Sequence, residues 1–194
     1  MKYFSLLCLI FIIFSCKKEE DRKLPSKSED YIPLQVGNEW QYLKDYFSNN
    51  IYYISIRVED EITINNRKYF KLIIDDAEVD MIPQELYLRK SDDGKYYQYK
   101  EGKEYYYRIF EDGLYPNATY EGYKIKCYTN GDTIDTEIGK FENIKVLAIG
   151  EVEVDGGYTD VYSKGFGLIE RSWFGGRWVI TYLKVGDLKL GQKT

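Results

Sequence analysis

The sequence predicts an all-β protein in which an antiparallel meander curls into a single barrel or half-barrel. Aromatic residues make up 17% of the chain and include 21 tyrosines, and aromatic side chains favour strands over helices. Short segments with alternating apolar and polar residues recur about every ten residues, and turn residues separate them. No segment has the periodicity of an amphipathic helix.

The first 15 residues have the features of a secretory signal peptide. Lys2 precedes an apolar stretch from Tyr3 to Phe14, which is shorter than the about 20 residues that a membrane-spanning helix needs. Ser15 and Cys16 follow, and the sequence IFSC resembles the lipobox of bacterial lipoproteins. We therefore expect cleavage before Cys16 and attachment of acyl chains such as palmitate to Cys16, which anchors the protein to a membrane. The alternative is an ordinary signal peptide with an incidental cysteine.

Residues 16–30 carry many charges and no hydrophobic periodicity, which predicts a solvated tether after the lipidated cysteine. Lys17 stands where an aspartate would retain a lipoprotein on the inner membrane. The basic-then-acidic run KKEED after Cys16 resembles an export signal of some Gram-negative groups. We expect an outer-membrane protein that faces outward, and the alternative is that the run is only a spacer. Residues 31–194 then form a single β domain.

The first predicted strands follow the tether directly. Trp40 and Tyr42 share one face of the first strand, and we expect Trp40 to be a core anchor. The second strand alternates from Tyr52 to Val58, with Tyr52, Ile54, Ile56 and Val58 on one face. Asn65-Asn66 predicts a hairpin turn, after which Phe70, Leu72 and Ile74 face inward.

Three tyrosine-rich segments between Glu85 and Phe110 predict a three-stranded meander. The two polar turns between them are Asp92-Asp93-Gly94 and Glu101-Gly102-Lys103. Both turns contain a glycine, which adopts the positive φ that hairpin loops require.

The C-terminal half predicts further strands of the same sheet. Tyr123, Ile125 and Cys127 alternate with lysines and should face inward, and a long strand from Ile144 to Val154 should bulge near Gly150. Trp173 and Trp178 flank the last turn, so we expect them to pair across it. A final strand from Val179 to Val185 closes the sheet.

Two segments resemble a loosely defined group of Gram-negative envelope lipoproteins. The first is PLQVGNEWQY, from Pro33 to Tyr42, and the second is YSKGFGL, from Tyr162 to Leu168. In that group the glycines of the second segment allow a strand to bend. The resemblance implies one antiparallel β domain on a lipid anchor, and it implies no activity, because most members have no known function.

Composition excludes several classes of function. The chain contains no histidine, which removes the usual catalytic base and the commonest zinc ligand. The formal net charge of −5 argues against nucleic-acid binding, which needs a basic surface. Beyond the leader and Cys16 the only cysteine is Cys127, so no intramolecular disulfide framework is expected.

A set of tyrosines in the meander forms the candidate ligand site. Tyrosine combines an apolar ring with a polar hydroxyl, so several of them on one sheet face would stack against sugar rings. The alternative is that the rings cover the core or stabilise cross-strand pairs. The candidate residues are Tyr87, Tyr97, Tyr99, Tyr105 and Tyr107.

Other side chains carry weaker signals. The acidic run Asp75, Asp76, Glu78 and Asp80 offers oxygens for calcium, but it lacks the glycine and the terminal glutamate of a calcium loop, so we predict a solvated turn and no metal site. Cys127 is expected to be a small buried apolar residue. Asn117-Ala118-Thr119 fits an N-glycosylation sequence, which we interpret as accidental in a bacterial-type lipoprotein.

The sequence therefore favours a membrane-anchored, non-catalytic binding domain without a cofactor. A partner protein is the first candidate ligand, a glycan the second and a small apolar ligand the third. One alternative is a glycan hydrolase that uses two of the 32 acidic residues. A second alternative is a lipid carrier, which needs an apolar concave face that tyrosines do not fill.

Overall fold

A computed structural model describes residues 28–46, 51–75, 85–116, 118–119, 123–131, 133–150 and 157–194. The predicted signal peptide, Cys16, the tether to residue 27, Asp76, Glu78, Asp80 and Asn117 lie outside these residues. The described part contains no helix, so it holds none long and apolar enough to cross a membrane. Its strands are β1 (Glu39–Tyr46), β2 (Ile51–Ile64), β3 (Arg67–Asp75), β4 (Glu85–Lys90), β5 (Tyr96–Lys100), β6 (Lys103–Arg108), β7 (Gly113–Tyr115), β8 (Ile125–Asn130), β9 (Ile134–Thr136), β10 (Gly139–Phe141), β11 (Ile144–Ile149), β12 (Tyr158–Ser163), β13 (Gly167–Trp173), β14 (Gly176–Val185) and β15 (Leu188–Gly191).

Thirteen of the described strands form one antiparallel sheet. Its order is β6-β5-β4-β3-β2-β1-β14-β13-β12-β11-β8-β7, and β15 pairs with the second half of β14. Strands β9 and β10 form a separate hairpin. The sheet thus consists of two meanders, and β1 and β14 join them along nearly their whole lengths.

The sheet is curled so that its two ends come near each other. The end strands β6 and β7 are consecutive in the chain, and only residues 109–112 separate them. Because neighbouring Cα atoms are 3.8 Å apart, the path from Arg108 to Gly113 spans at most ~19 Å. No hydrogen-bonded ladder joins β6 to β7 among the described residues. The predicted all-β meander is therefore confirmed, and its form is an open, curled sheet.

The concave side of the sheet is filled by large side chains from both meanders. Tyr42 and Phe141 are at most 1% exposed, and aliphatic residues pack around them. The fully buried aliphatic residues include Ile54, Leu88, Ile125, Ile144, Leu147, Ile149 and Ile169. Alternation along the strands delivers these residues to one side except Ile144, which lies three residues before Leu147 on β11 and therefore faces the other side.

The hairpin turns form where the sequence predicted them. Asn65 and Asn66 have φ values of 50° and 62°, and Glu101 and Gly102 have values of 51° and 81°. Two successive residues with positive φ are the geometry of a type I′ turn, whose twist matches that of the paired strands.

The two segments that carry the lipoprotein resemblance pack against each other in the core. Trp40 is 3% exposed, and its Nε1 donates a hydrogen bond of 2.5 Å to the carbonyl oxygen of Phe166. The Tyr42 hydroxyl donates to the carbonyl oxygen of Leu168 at 3.0 Å. Gly167 has a φ of 99°, and a Cβ atom there would lie 2.8 Å from Trp40 Nε1. Glycine at position 167 therefore makes room for the indole, and the prediction that Trp40 anchors the core is confirmed.

The open seam between β6 and β7 is covered by an aromatic cluster. Phe110 stacks on Tyr31 with ring centroids 4.6 Å apart, and it meets Tyr96 and Tyr162 edge-on. The N-terminal segment crosses this region, because the Ile32 backbone N–H donates to the Tyr96 hydroxyl at 3.3 Å. Residues 109–110 and the start of the domain thus take the place of a strand pair at the seam.

Some predicted details are wrong. Tyr123 is 40% exposed instead of facing inward, because it precedes β8, and Tyr52 is equally exposed near the start of β2. Strand β11 ends at Ile149, and Gly150 follows with a φ of 84°, so the chain bends where a bulge was predicted. Residues 151–156 lie outside the described part.

Candidate functional site

The five candidate tyrosines do not share one face of the sheet. Tyr87 pairs with Tyr99, and both lie on the side opposite to the buried Leu86 and Leu88. Tyr97 lies two residues before Tyr99 and therefore shares that convex side. The structure thus brings together three of the five residues.

The other two tyrosines point to the concave side. Tyr105 pairs with Gln98, which in turn pairs with the buried Leu88. Tyr107 is the extra residue of a β-bulge, because its neighbours Tyr106 and Arg108 pair with the consecutive residues Tyr97 and Tyr96. The Tyr107 ring packs against the core. The prediction that all five tyrosines lie on one face of the sheet is therefore wrong. The alternation along β6 and its bulge place Tyr105 and Tyr107 on the other face.

The convex side of β4, β5 and β6 carries further polar and aromatic groups that the sequence analysis missed. We define the tyrosine face as Tyr87, Tyr97, Tyr99 and Tyr106 together with Arg89 and Glu104. The Tyr97 and Tyr106 rings contact each other with centroids 4.9 Å apart, and the Arg89 guanidinium lies 4.5 Å above the Tyr97 ring. Tyr106 is 37% exposed, and the other three tyrosines are partly exposed.

Glu104 is the electrostatic centre of the tyrosine face. Its carboxylate accepts hydrogen bonds from Arg67, Arg89 and the Tyr69 hydroxyl, and the bond from Arg89 Nη2 measures 3.0 Å. The hydrogen bonds from Arg89 lower the pKa of Glu104 to about 2. The lowered pKa keeps the Glu104 carboxylate ionised at neutral pH, so it balances the positive charge of Arg89 within the face.

A signal for Arg89 and Glu104 was present in the sequence. Arg89 lies two residues after Tyr87, and Glu104 lies two residues before Tyr106, so each shares a face with a tyrosine. Pairing across the turn at Glu101-Gly102 places Glu104 opposite Tyr99. The register of these hairpins, which the turn residues predict, would have identified both residues.

A second polar group, which we call the arginine cluster, lies on the concave side and consists of Arg108, Asp160 and Arg171. Arg108 Nη2 and Arg171 Nη2 donate to Asp160 Oδ2 at 2.7 and 2.8 Å, and Arg171 Nε donates to Oδ1 at 2.5 Å. The Tyr162 hydroxyl lies 3.3 Å from Asp160 Oδ2, and the Arg108 side chain also donates to the Tyr158 hydroxyl at 3.3 Å.

Burial and charge determine the state of the arginine cluster. Asp160 is 0% exposed and Arg108 is 3% exposed. Burial raises the pKa of Asp160, but the charges of Arg171 and Arg108 outweigh it and hold that pKa below its ordinary value. All three groups are therefore ionised, and the cluster ties the end strand β6 to β12 and β13 across the interior. No sequence signal pointed to it, because 52 residues separate Arg108 from Asp160.

The described carboxyl groups with shifted pKa values offer no candidate for the general acid of a glycosidase. A glycosidase general acid needs a raised pKa so that it is protonated at neutral pH. Each described carboxyl group with a clear shift has a lowered pKa, as neighbouring cations or hydroxyl groups favour the carboxylate; these are Glu29, Glu85, Asp93, Glu104, Asp112 and Asp160.

The remaining candidates have structural roles. Asp75 is exposed and pairs with Arg57, and no described group of three or more acids or cysteines could hold a metal ion. Cys127 is 3% exposed, as predicted, and burial raises the pKa of its thiol to about 11. A thiol with so high a pKa is protonated at neutral pH and is a poor nucleophile.

A pocket of about 280 Å³ lies beside the seam, where the N-terminal segment meets the turn between β4 and β5. Tyr31, Tyr96 and Phe110 form its aromatic side. The lysines at its rim are already paired, since Lys90 contacts Asp30 and Lys95 contacts Asp93. The pocket therefore has an aromatic side and paired lysines at its rim, and two further carboxylates, Glu29 and Glu111, also line it.

Comparisons with known proteins give no family for the chain. No protein-family model and no curated protein matches it. One similar solved structure is a protein from Bacteroides fragilis described as exported and as having a YmcC-like fold, with 12% identity and a TM-score of 0.49, over 80% of this chain and 99% of the other. Another is a protein from Parabacteroides distasonis described as a lipoprotein, with 12% identity and a TM-score of 0.43, over 81% of this chain and 99% of the other.

Proposed function

We propose that the protein is a lipid-anchored protein of the cell envelope whose β domain binds a partner protein through the tyrosine face. The observation that carries this proposal is the composition and exposure of that face. Tyr97 and Tyr106 present large, partly exposed rings, and Arg89 lies over one of them. Tyrosine and arginine dominate the binding energy of many protein interfaces, since both bury much surface and still form hydrogen bonds.

The tyrosine face is also preorganised. Arg89 is held by Glu104, and Tyr69 beneath it is 1% exposed and contacts Tyr99 with ring centroids 5.7 Å apart. A partner that binds such a surface orders few additional side chains, so less conformational entropy is lost on binding.

The concave side does not support lipid carriage. A lipid carrier needs an open apolar concave surface, whereas Tyr42, Tyr96 and Tyr162 are each at most 3% exposed there. The downward pKa shifts of the carboxyl groups likewise give no support to the glycan hydrolase. Binding at the convex side is the function that the geometry supports best.

The lipid anchor at Cys16 completes the proposal. The apolar leader and the small residue before Cys16 support lipidation, and the charged run after it supports transport to the outer membrane with the domain facing outward. The Cys16→Ala variant should lose metabolic labelling with a palmitate analogue. Cys8→Ala is the matched control, because Cys8 lies inside the leader and should be removed with it. Equal labelling of wild type and Cys16→Ala would contradict the anchor.

Site-specific photo-crosslinking tests the binding face in intact cells. A photoreactive phenylalanine derivative in place of Tyr97 should cross-link a discrete envelope protein, and the additional change Tyr106→Ala should weaken that product. The same derivative at Tyr128, which is 44% exposed on β8, is the matched control and should give no such product. Equal products at both positions would contradict the proposal. Retention of the wild type on an envelope polysaccharide, lost in Tyr97→Ala, would identify a glycan as the ligand instead.

A further inference from the structure

The arginine cluster contains more positive than negative charge in a buried setting. Arg108 and Arg171 both pair with Asp160, whose two oxygens are occupied by them. No other described carboxylate contacts the cluster, so its formal charge is +1. Unbalanced buried charge is costly, so a compensating anion is expected close by.

Arg171 has one hydrogen-bonding edge that is not used. Its Nε and Nη2 atoms face Asp160, while its Nη1 atom contacts no acceptor among the described residues. The rings of Tyr158 and Trp178 cover the guanidinium, with centroids 4.5 and 4.8 Å from its central carbon. The side chain nevertheless keeps 14% of its surface exposed. The guanidinium is thus held in place by Asp160 and the two rings, and the donors of its Nη1 atom are not used by the described residues.

Trp178 supplies an independent observation beside this edge. It is 3% exposed, and its Nε1 is a buried donor for which the described part of the chain provides no acceptor. Buried indole N–H groups usually have a partner. Trp178 pairs with Arg171 across β13 and β14, so both side chains lie on the same side of the sheet.

We propose that the Nη1–Nη2 edge of Arg171 binds a small carboxylate ligand on the concave side of the sheet, next to Trp178. A carboxylate is planar and matches two parallel N–H donors of a guanidinium. Its single negative charge neutralises the cluster. This site is separate from the tyrosine face, which lies on the convex side of other strands.

Thermal unfolding of the purified full-length protein in a non-ionic detergent tests the proposal, with acetate as the probe. Sodium acetate should raise the melting temperature above that in sodium chloride at equal sodium concentration. At about 100 times the dissociation constant, the expected rise is about 5 °C or more. Arg171→Met should abolish the rise, and it should fold, because it leaves Arg108 and Asp160 as a neutral pair.

Two further variants complete the test. Arg177→Met is the matched control, since Arg177 is exposed on the neighbouring strand, and it should keep the full rise. Arg171→Lys retains the positive charge but lacks the planar guanidinium, so acetate should no longer raise its melting temperature. This variant keeps the test decisive if Arg171→Met does not fold. No rise in the wild type, or an equal rise in Arg171→Lys, would overturn the proposal. An equal rise with inorganic phosphate would overturn the assignment of the ligand as a carboxylate.

Discussion

Removing the Asp160 carboxylate should destabilise the protein more than any other single loss of a described acid. Asp160→Ala leaves the guanidiniums of Arg108 and Arg171 buried without a counter-charge. Removing one partner of a buried ion pair lowers the free energy of unfolding by about 3–5 kcal/mol. At about 2–4 °C per kcal/mol for a domain of this size, the melting temperature should fall by roughly 6–20 °C.

Thermal and urea unfolding, followed by circular dichroism, measure this loss. Asp112→Ala is the matched control, because the Asp112 carboxylate is 54% exposed and pairs with Lys145 at 2.6 Å. Exposed ion pairs contribute little, so the control should melt close to the wild type. If Asp160→Ala melts as the control does, the arginine cluster does not hold β6 to β12.

The pH dependence gives a second measurement of the same interaction. The pKa of Asp160 is lowered from an ordinary value of 3.8, because the arginine charges outweigh the effect of burial. The unfolded chain therefore binds more protons between the two pKa values, and stability rises with pH there. The contribution of Asp160 should be complete above about pH 4 and should be lost as the pH falls below it. Asp160→Asn should remove this part of the acid dependence, and an unchanged acid profile would refute the assignment.

Three further predictions concern the core, the cysteine and the tyrosine face. Trp40→Ala should lower the free energy of unfolding by about 3–5 kcal/mol. Gly167→Ala should lower it by about 1–3 kcal/mol, because position 167 has a positive φ and contacts Trp40. Urea unfolding curves that match the wild type would show that these residues do not stabilise the core. Reductant should leave the melting temperature of the monomer unchanged, because Cys127 forms no disulfide within the described residues. A decrease on reduction would contradict this. Glu104→Gln should lower the free energy of unfolding at pH 7 by about 1 kcal/mol, since the charged hydrogen bonds that it removes are partly exposed. The wild type should lose this stabilisation only as the pH falls from above 4.5 towards 2. Equal stability of the two proteins at pH 7 would contradict the prediction.

The sequence alone predicted the type of strand pairing and most of the turns. Asn65-Asn66 and Glu101-Gly102 adopt the positive φ values that their residue types favour, so local chemistry was sufficient. The short strands β7, β9, β10 and β15 were not predicted, since segments of three or four residues are too short to show a periodicity.

The candidate site was predicted only in part. Alternation correctly grouped Tyr87, Tyr97 and Tyr99, but Tyr105 and Tyr107 required the register of β6 and its bulge. A shift of one residue moves a side chain to the other face, and a bulge of this kind leaves no clear mark in the sequence.

What the sequence determined by itself is therefore local: the alternation, the turns and the burial of Trp40. The anchor at Cys16 stays a prediction. The tertiary structure alone decided which distant residues meet. Trp40 fits against Gly167 because β1 pairs with β14, and Arg108 reaches Asp160 because the sheet curls until its end strand faces β12. Neither contact follows from local pattern, since each depends on strand order and curvature, which arise from the packing of the whole sheet around one core.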